Sequence, residues 1–335
     1  MKIGLLFAGQ GAQYPGMGKS LYESSDAAGK VFDDAGEQIK EWCFEGTQET
    51  LMLTHVTQPS VYIVTMAAYQ AFLEAISEFG ESFWDSIELT GIAGFSLGEY
   101  SALTAAGVID NVEKGLGIVK NRGELMLKAG SDAEGNQKGG MAAAFGDRQT
   151  ILRCVDEARQ GGILEGVNFN SKVQTVVAGG KEELERFKQV AAANKVKVFP
   201  LSVSTAFHSP MMEPAIEPLR QILLKSDLKV PISKIYCNVT GDDMFGGKHF
   251  AEEDITEHVS DMMAKQAGSP VYWQETIENM ARDGIETFIE IGPGTILSGF
   301  VKKTLPQIKI LNIEDEESLR KTMQTLFEMT EAKGE

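Results

Sequence analysis

Residues 89–103 read Leu-Thr-Gly-Ile-Ala-Gly-Phe-Ser-Leu-Gly-Glu-Tyr-Ser-Ala-Leu, and no other stretch of the 335 narrows the possible folds as much. An apolar run enters Gly94-Phe95-Ser96-Leu97-Gly98, and a helix-forming sequence with Glu99, Ala102, Leu103, Ala105 and Ala106 leaves it. The pattern predicts a strand, a tight turn and a helix, with Ser96 at the apex. Such a turn strains the serine backbone and lifts Oγ above the sheet edge. Gly94 and Gly98 stand where a side chain would collide with the flanking strand or helix. The Leu97 N–H, at a helix start, is placed to stabilise an oxyanion. Glycine and serine are common, so the bare G-x-S-x-G spacing is weak. The strand–turn–helix context is what favours a nucleophile over chance.

Around this elbow the chain alternates strands and helices. Residues 3–8 read as a first strand, which ends in Gly9-Gln10-Gly11-Ala12-Gln13-Tyr14. A dinucleotide fingerprint would need glycine where Tyr14 stands, and no phosphate-loop Lys-Ser/Thr follows. The loop either exposes backbone amides near a site or is a plain turn. Residues 24–44 read as one helix with Val31, Phe32, Ala35 and Ile39 on a face. Residues 61–79 form a long helix without a polar face, hence buried. A further helix, 112–129, carries Arg122 among Gly115, Gly117 and Gly123, a sign of close packing.

Residues 130–140 are polar and glycine-rich, and the texture then changes. Strands at 140–146, 164–170, 174–179 and 197–203 alternate with helices at 148–160 and 181–194. That β-α-β-β-α-β order is the split pattern of a ferredoxin-like unit. Helices at 213–225, 255–265, 272–282 and 318–329 and strands at 235–238, 287–291 and 310–313 complete the chain. The expected fold class is α/β: a large α/β-hydrolase-like domain, residues 1–130 and 204–335, interrupted by a small ferredoxin-like domain, residues 131–203.

A serine nucleophile needs a base, and the chain has four histidines. His55 falls in an expected loop, and His249 and His258 in a charged, surface-like stretch. His208 lies at the junction of the two expected domains, where clefts form. It is the candidate base, although a histidine beside Phe207 also suits a core. Thirty-one basic against 48 acidic residues leave a net charge of −17, which argues against nucleic acid or an anionic membrane as partner. Cys43, Cys154 and Cys237 are odd in number and in no metal-like spacing; they read as buried reduced thiols of a cytoplasmic protein. The N-terminal apolar run is too short for a secretory signal, and no run approaches the ~18 apolar residues of a membrane span.

Seven motifs occur in order: Gly9-Gln10-Gly11-Ala12-Gln13, Thr57-Gln58-Pro59-Ser60, Gly94-Phe95-Ser96-Leu97-Gly98-Glu99, Arg122-Gly123-Glu124, Ala206-Phe207-His208-Ser209-Pro210-Met211-Met212, Gln266 with Ser269-Pro270-Val271, and Glu290-Ile291-Gly292-Pro293-Gly294. Together they resemble the malonyl-CoA:acyl-carrier-protein transacylase family, which serves fatty acid and polyketide synthesis, over nearly the whole chain. The resemblance implies Ser96 as acylated nucleophile and His208 as base and then acid, with no third carboxylate. It implies that the Gln266 main-chain carbonyl orients His208. The Gln10 and Leu97 amides would form the oxyanion hole, and Arg122 would clamp the malonyl carboxylate. Gln58, Asn170 and Phe207 match pocket positions. Phe95 stands where the family often has His, and Ala8 where it often has Pro; Thr205 occupies a place linked to acyl choice. The implied reaction is ping-pong malonyl transfer from malonyl-CoA to the phosphopantetheine thiol of an acyl carrier protein, without metal or cofactor; the sequence leaves oligomeric state open, with a monomer as the default. Lys181, Lys188, Lys195 and Lys302-Lys303 are candidates for carrier docking. The alternatives are an acyl hydrolase, an acyltransferase of different acyl preference in a polyketide pathway, and a non-catalytic scaffold.

Overall fold

The computed structural model describes every residue except 79, 81, 82, 84, 204, 249 and 335, together with the backbone alone of 333 and 334. Its strands are β1 (Lys2–Phe7), β2 (Glu88–Gly94), β3 (Gly139–Phe145), β4 (Leu164–Ser171), β5 (Gln174–Gly180), β6 (Lys197–Pro200), β7 (Ile235–Tyr236), β8 (Thr287–Ile291) and β9 (Lys309–Ile313). Five of them make a parallel sheet in the order β7-β2-β1-β8-β9. The other four make an antiparallel sheet in the order β4-β5-β3-β6. The parallel strands are apolar almost without alternation because helices cover both faces; β8 is buried at every residue.

The helix Thr54–Glu78 is buried continuously over residues 56–69, as its missing polar face requires. The single helix expected over 24–44 is instead two, Asp26–Ala35 and Glu37–Glu45. Gly36 separates them with φ 95° and ψ 163°, a backbone shape open essentially to glycine alone, which ends the first helix. The strand expected over 197–203 stops at Pro200. One helix lining the site, Ile296–Thr304, has no local signal. Its first amides are capped from β8: Glu290 accepts from Leu297 N–H (2.9 Å) and Ser298 N–H (2.6 Å). A cap that arrives through space leaves no mark beside the helix it starts.

The antiparallel sheet is tied at β4 to the segment that precedes the helix Trp273–Arg282. Phe169 N–H donates to the Val271 carbonyl (2.9 Å), and Val271 N–H donates to the Val167 carbonyl (2.8 Å). Arg148 pairs with Glu275 beside this bridge and lies over the Phe169 ring. The segment that holds β4 is therefore the one that begins at Gln266. No described helix is long and apolar enough to cross a membrane.

Candidate active site

The elbow has the geometry its glycines imply. β2 ends at Gly94, the next helix runs Gly98–Ala105, and Ser96 between them adopts φ 52°. A Cβ on Gly94 would overlap the Gly98 carbonyl, and one on Gly98 would overlap the Phe7 carbonyl. A Cβ on Gly9 would strike the Phe95 carbonyl, so the first glycine loop lies directly against the elbow. Left-handed backbone at a non-glycine residue is costly and persists only when neighbours hold it. Asn238, just after β7, does this: its Oδ1 accepts from Ser96 N–H (2.7 Å) and its Nδ2 donates to the Gly94 carbonyl (2.7 Å).

His208 meets the serine. Its Nε2 lies 2.7 Å from Ser96 Oγ. Its Nδ1 faces two carbonyls, Gln266 O at 3.0 Å and Ser269 O at 3.1 Å. Carbonyls only accept, so Nδ1 carries the proton and Nε2 is left as the acceptor for the serine hydroxyl. Burial, and then the Arg122 charge, push the His208 pKa down to about 4. The imidazole is therefore neutral at physiological pH and ready to take a proton.

Arg122 comes from the helix Val112–Ala129 and is 1 % exposed. Nη1 donates to Gln58 Oε1 (2.9 Å), and Nη2 donates to Gln266 Oε1 (3.2 Å) and to Ser96 Oγ (3.4 Å). Among the described residues no carboxylate pairs with it within 4 Å, and Nε has no partner. Burial lowers its pKa from the usual arginine value. A buried guanidinium held by two neutral amide oxygens is a site short of one anion.

These groups line a cavity of about 240 Å3. Gln10, Gln58, Ser96, Arg122, Asn170, Phe207 and His208 all border it, so the structure brings together the residues that the motifs single out. Leu97 sits behind Ser96, and its N–H and that of Gln10 have no acceptor among the described residues. Thr205 does not border the cavity; it is buried where a Cβ on Gly130 would meet it. His55 is exposed on the helix Thr54–Glu78 rather than in a loop. His258 is half-buried with Nε2 at 2.9 Å from the Met244 carbonyl, and His249 lies outside the described residues. The three cysteines are buried and free, as expected.

Two residues of the site carried no role in the sequence. Asn238 lies far away in the chain, beyond a two-residue strand. Glu99 is 0 % exposed; burial pushes its carboxyl up, and Gln266, Asn238 and Arg122 pull it back toward the ionised form. The signal for Glu99 was its place in the elbow helix, one turn after the serine.

The family model described as an acyl transferase domain matches residues 5–327. The malonyl CoA-acyl carrier protein transacylase of Bacillus subtilis is 36% identical over 334 residues, 98% of each chain. The crystal structure of the transacylase of that name from Clostridium perfringens superposes with a TM-score of 0.87 at 34% identity, covering 100% of both chains. A malonyl transacylase solved in complex with its type II polyketide acyl carrier protein gives a TM-score of 0.85 at 30% identity, over 97% of this chain and 100% of that one. This mixed α/β chain, with its separate parallel and antiparallel sheets, is an acyltransferase and belongs to the acyl transferase domain family.

Proposed function

We propose that this protein moves a malonyl group from malonyl-CoA to the phosphopantetheine thiol of an acyl carrier protein, by a ping-pong route through an acyl ester on Ser96. The observation that carries the reading is Arg122: a buried cation without a carboxylate partner, 3.4 Å from Ser96 Oγ. A malonyl group esterified at Ser96 would bring its free carboxylate to that guanidinium, and a bidentate pair would form.

His208 Nε2 takes the Ser96 proton as Oγ attacks the thioester carbonyl. The Leu97 and Gln10 N–H groups donate to the developing oxyanion. The tetrahedral intermediate collapses, the C–S bond breaks, and His208 returns the proton to the CoA sulfur. The carrier thiol then gives its proton to His208, attacks the malonyl ester, and Ser96 leaves with that proton. The two carbonyls at Nδ1 stand where a triad carboxylate would; they fix the tautomer and leave the imidazolium less stabilised. Gln58, Asn170 and Phe207 shape the acyl pocket.

The large domain, 1–130 with 204–335, is α/β-hydrolase-like in this reading, supported by the elbow on a parallel sheet. The small domain, 131–203, is ferredoxin-like, supported by the β4-β5-β3-β6 order. The protein acts in the cytoplasm as a monomer, without nucleic acid or membrane, metal or cofactor. Lys302 and Lys303 follow Phe300, which lines the cavity, and are the lysines best placed to meet an acidic carrier protein. Lys188 is already paired with Glu185 at 2.8 Å. A proofreading acyl hydrolase would have little need of the buried Arg122, and a non-catalytic scaffold would need neither it nor the Ser96–His208 pair.

The test is transfer from malonyl-CoA to carrier protein with and without its phosphopantetheine arm. Malonylation of the arm-bearing form alone, with parallel lines in double-reciprocal plots, is expected. Steady release of free malonate without carrier malonylation would refute the proposal in favour of hydrolysis.

A further inference from the structure

Glu99 has a place behind the site that the reaction as written leaves unused. It sits in the first turn of the helix Gly98–Ala105 and makes two hydrogen bonds. Its Oε1 accepts from the main-chain N–H of Asn238 (3.2 Å), and its Oε2 accepts from Nε2 of Gln266 (3.0 Å). Both partners act directly on the catalytic pair. The Asn238 side chain clamps the strained elbow from Gly94 to Ser96. The Gln266 carbonyl holds Nδ1 of His208, and its Nε2 also donates to the Ser96 carbonyl at 2.8 Å.

The Gln266 amide could in principle face either way round. With Nε2 toward Glu99 and the Ser96 carbonyl, every contact is donor to acceptor, and Oε1 is left to accept from Arg122. Turned over, Oε1 would oppose two acceptors and Nε2 would oppose the guanidinium. Each oxygen of Glu99 faces an N–H donor, so the contacts fit its ionised form, which offers two acceptors and selects the first arrangement. An amide there offers one acceptor and one donor. It must either orphan the buried Asn238 N–H or confront Nε2 of Gln266 with another donor. Either way, an anchor of the elbow or of the histidine is lost.

We propose that Glu99 is a positioning residue that keeps Ser96 and His208 in register, acting through the main chain of Asn238 and the side chain of Gln266. The inference deepens the proposed function, since it concerns the same nucleophile and base. It assigns Glu99 no contact with the acyl group. Its loss therefore slows attack by Ser96 whatever the electrophile, in contrast to loss of Arg122.

The test compares the wild-type protein with Glu99→Gln and, as a second variant, Asn238→Ala. Three rates are read per folded molecule: acylation by malonyl-CoA, acylation by acetyl-CoA, and phosphonylation by a fluorophosphonate. In the last, Ser96 Oγ bonds to phosphorus, fluoride leaves and His208 takes the proton. Circular dichroism and thermal melting establish how much of each variant is folded. For Glu99→Gln, kcat is expected to fall tenfold or more for both acyl-CoA substrates. Phosphonylation should slow by a similar factor, with KM for malonyl-CoA within about twofold of wild type. Asn238→Ala should show the same uniform pattern. A folded Glu99→Gln with wild-type rates would overturn the proposal, as would a loss confined to malonyl-CoA. A purely structural role would lower the folded fraction and leave the rate per folded molecule unchanged, and that too would overturn it. Should wild type react with the fluorophosphonate yet take no malonyl group, the proposed function fails. The Glu99 inference is then judged on the phosphonylation rate.

Discussion

Replacing Arg122 by alanine separates acyl choice from acyl transfer. In the free protein the guanidinium is 1 % exposed, and among the described residues its acceptors are Gln58 Oε1, Gln266 Oε1 and Ser96 Oγ. A malonyl carboxylate reaching the cavity gains the one charged partner there. Without the arginine it is desolvated and unpaired, which costs about 2–5 kcal/mol for a buried charge pair broken on one side. At 1.36 kcal/mol per tenfold, kcat/KM for malonyl-CoA should fall roughly 30- to 5,000-fold. Acetyl-CoA has no carboxylate to strand, so its kcat/KM should stay level or rise. Arg122→Lys should recover part of the malonyl rate, because a point charge replaces the fork without its two-pronged geometry. The assay is stopped-flow acylation of wild type and both variants with each substrate. An equal fall for malonyl-CoA and acetyl-CoA would refute the reasoning, since Arg122 would then serve the fold or the CoA moiety.

His208→Ala should slow acylation by about 10²–10⁴-fold at neutral pH, the usual worth of a general base, while His55→Ala and His258→Ala stay near wild type in the same assay. With the His208 pKa held down to about 4, the base is neutral until the pH falls through that value. The pH profile of kcat/KM should therefore lack an acid limb near 6.5, and a half-fall at 6.5 would contradict the burial argument. The same shift has a stability consequence. The unfolded histidine takes its proton near 6.5 and the folded one only near 4, so stability is lost as pH falls across that window, and His208→Gln should flatten the loss in melting curves. Gly94→Ala should prevent native folding, since its Cβ overlaps the Gly98 carbonyl. Gly117→Ala, which meets nothing within 4 Å on an exposed helix face, should stabilise by about 0.5–1 kcal/mol in denaturant titration.

What could be read in advance was whatever a local pattern fully determines. The elbow at Ser96 is one case, because the two glycines, the apolar strand and the helix formers all lie within fifteen residues. The buried helix Thr54–Glu78 is another, since a missing polar face leaves it one environment. His208 stood out by scarcity and by its place after the inserted strands, and Arg122 through the motif it shares with a family. What escaped depends on contacts made across the chain. Asn238 reaches Ser96 from 142 residues away, and Glu290 caps a helix it precedes by one loop. Gly36 was hidden for another reason: the apolar face of residues 24–44 runs through it, and only its positive φ reveals the break. Glu99 was visible but mute, because a carboxylate one turn into a helix is ordinarily solvated; its 0 % exposure is a tertiary fact.

In the proposed reaction Ser96 Oγ carries the acyl group between two thiols. The most direct measurement is peptide mapping by mass spectrometry of protein quenched in acid after brief exposure to malonyl-CoA without carrier protein. One malonyl ester per chain is expected, on the peptide containing Gly94-Phe95-Ser96-Leu97-Gly98, lost when carrier protein bearing its phosphopantetheine arm is added and absent from Ser96→Ala. Malonyl found on Cys43, Cys154 or Cys237, or a Ser96→Ala protein that still malonylates the carrier at the wild-type rate, would contradict it.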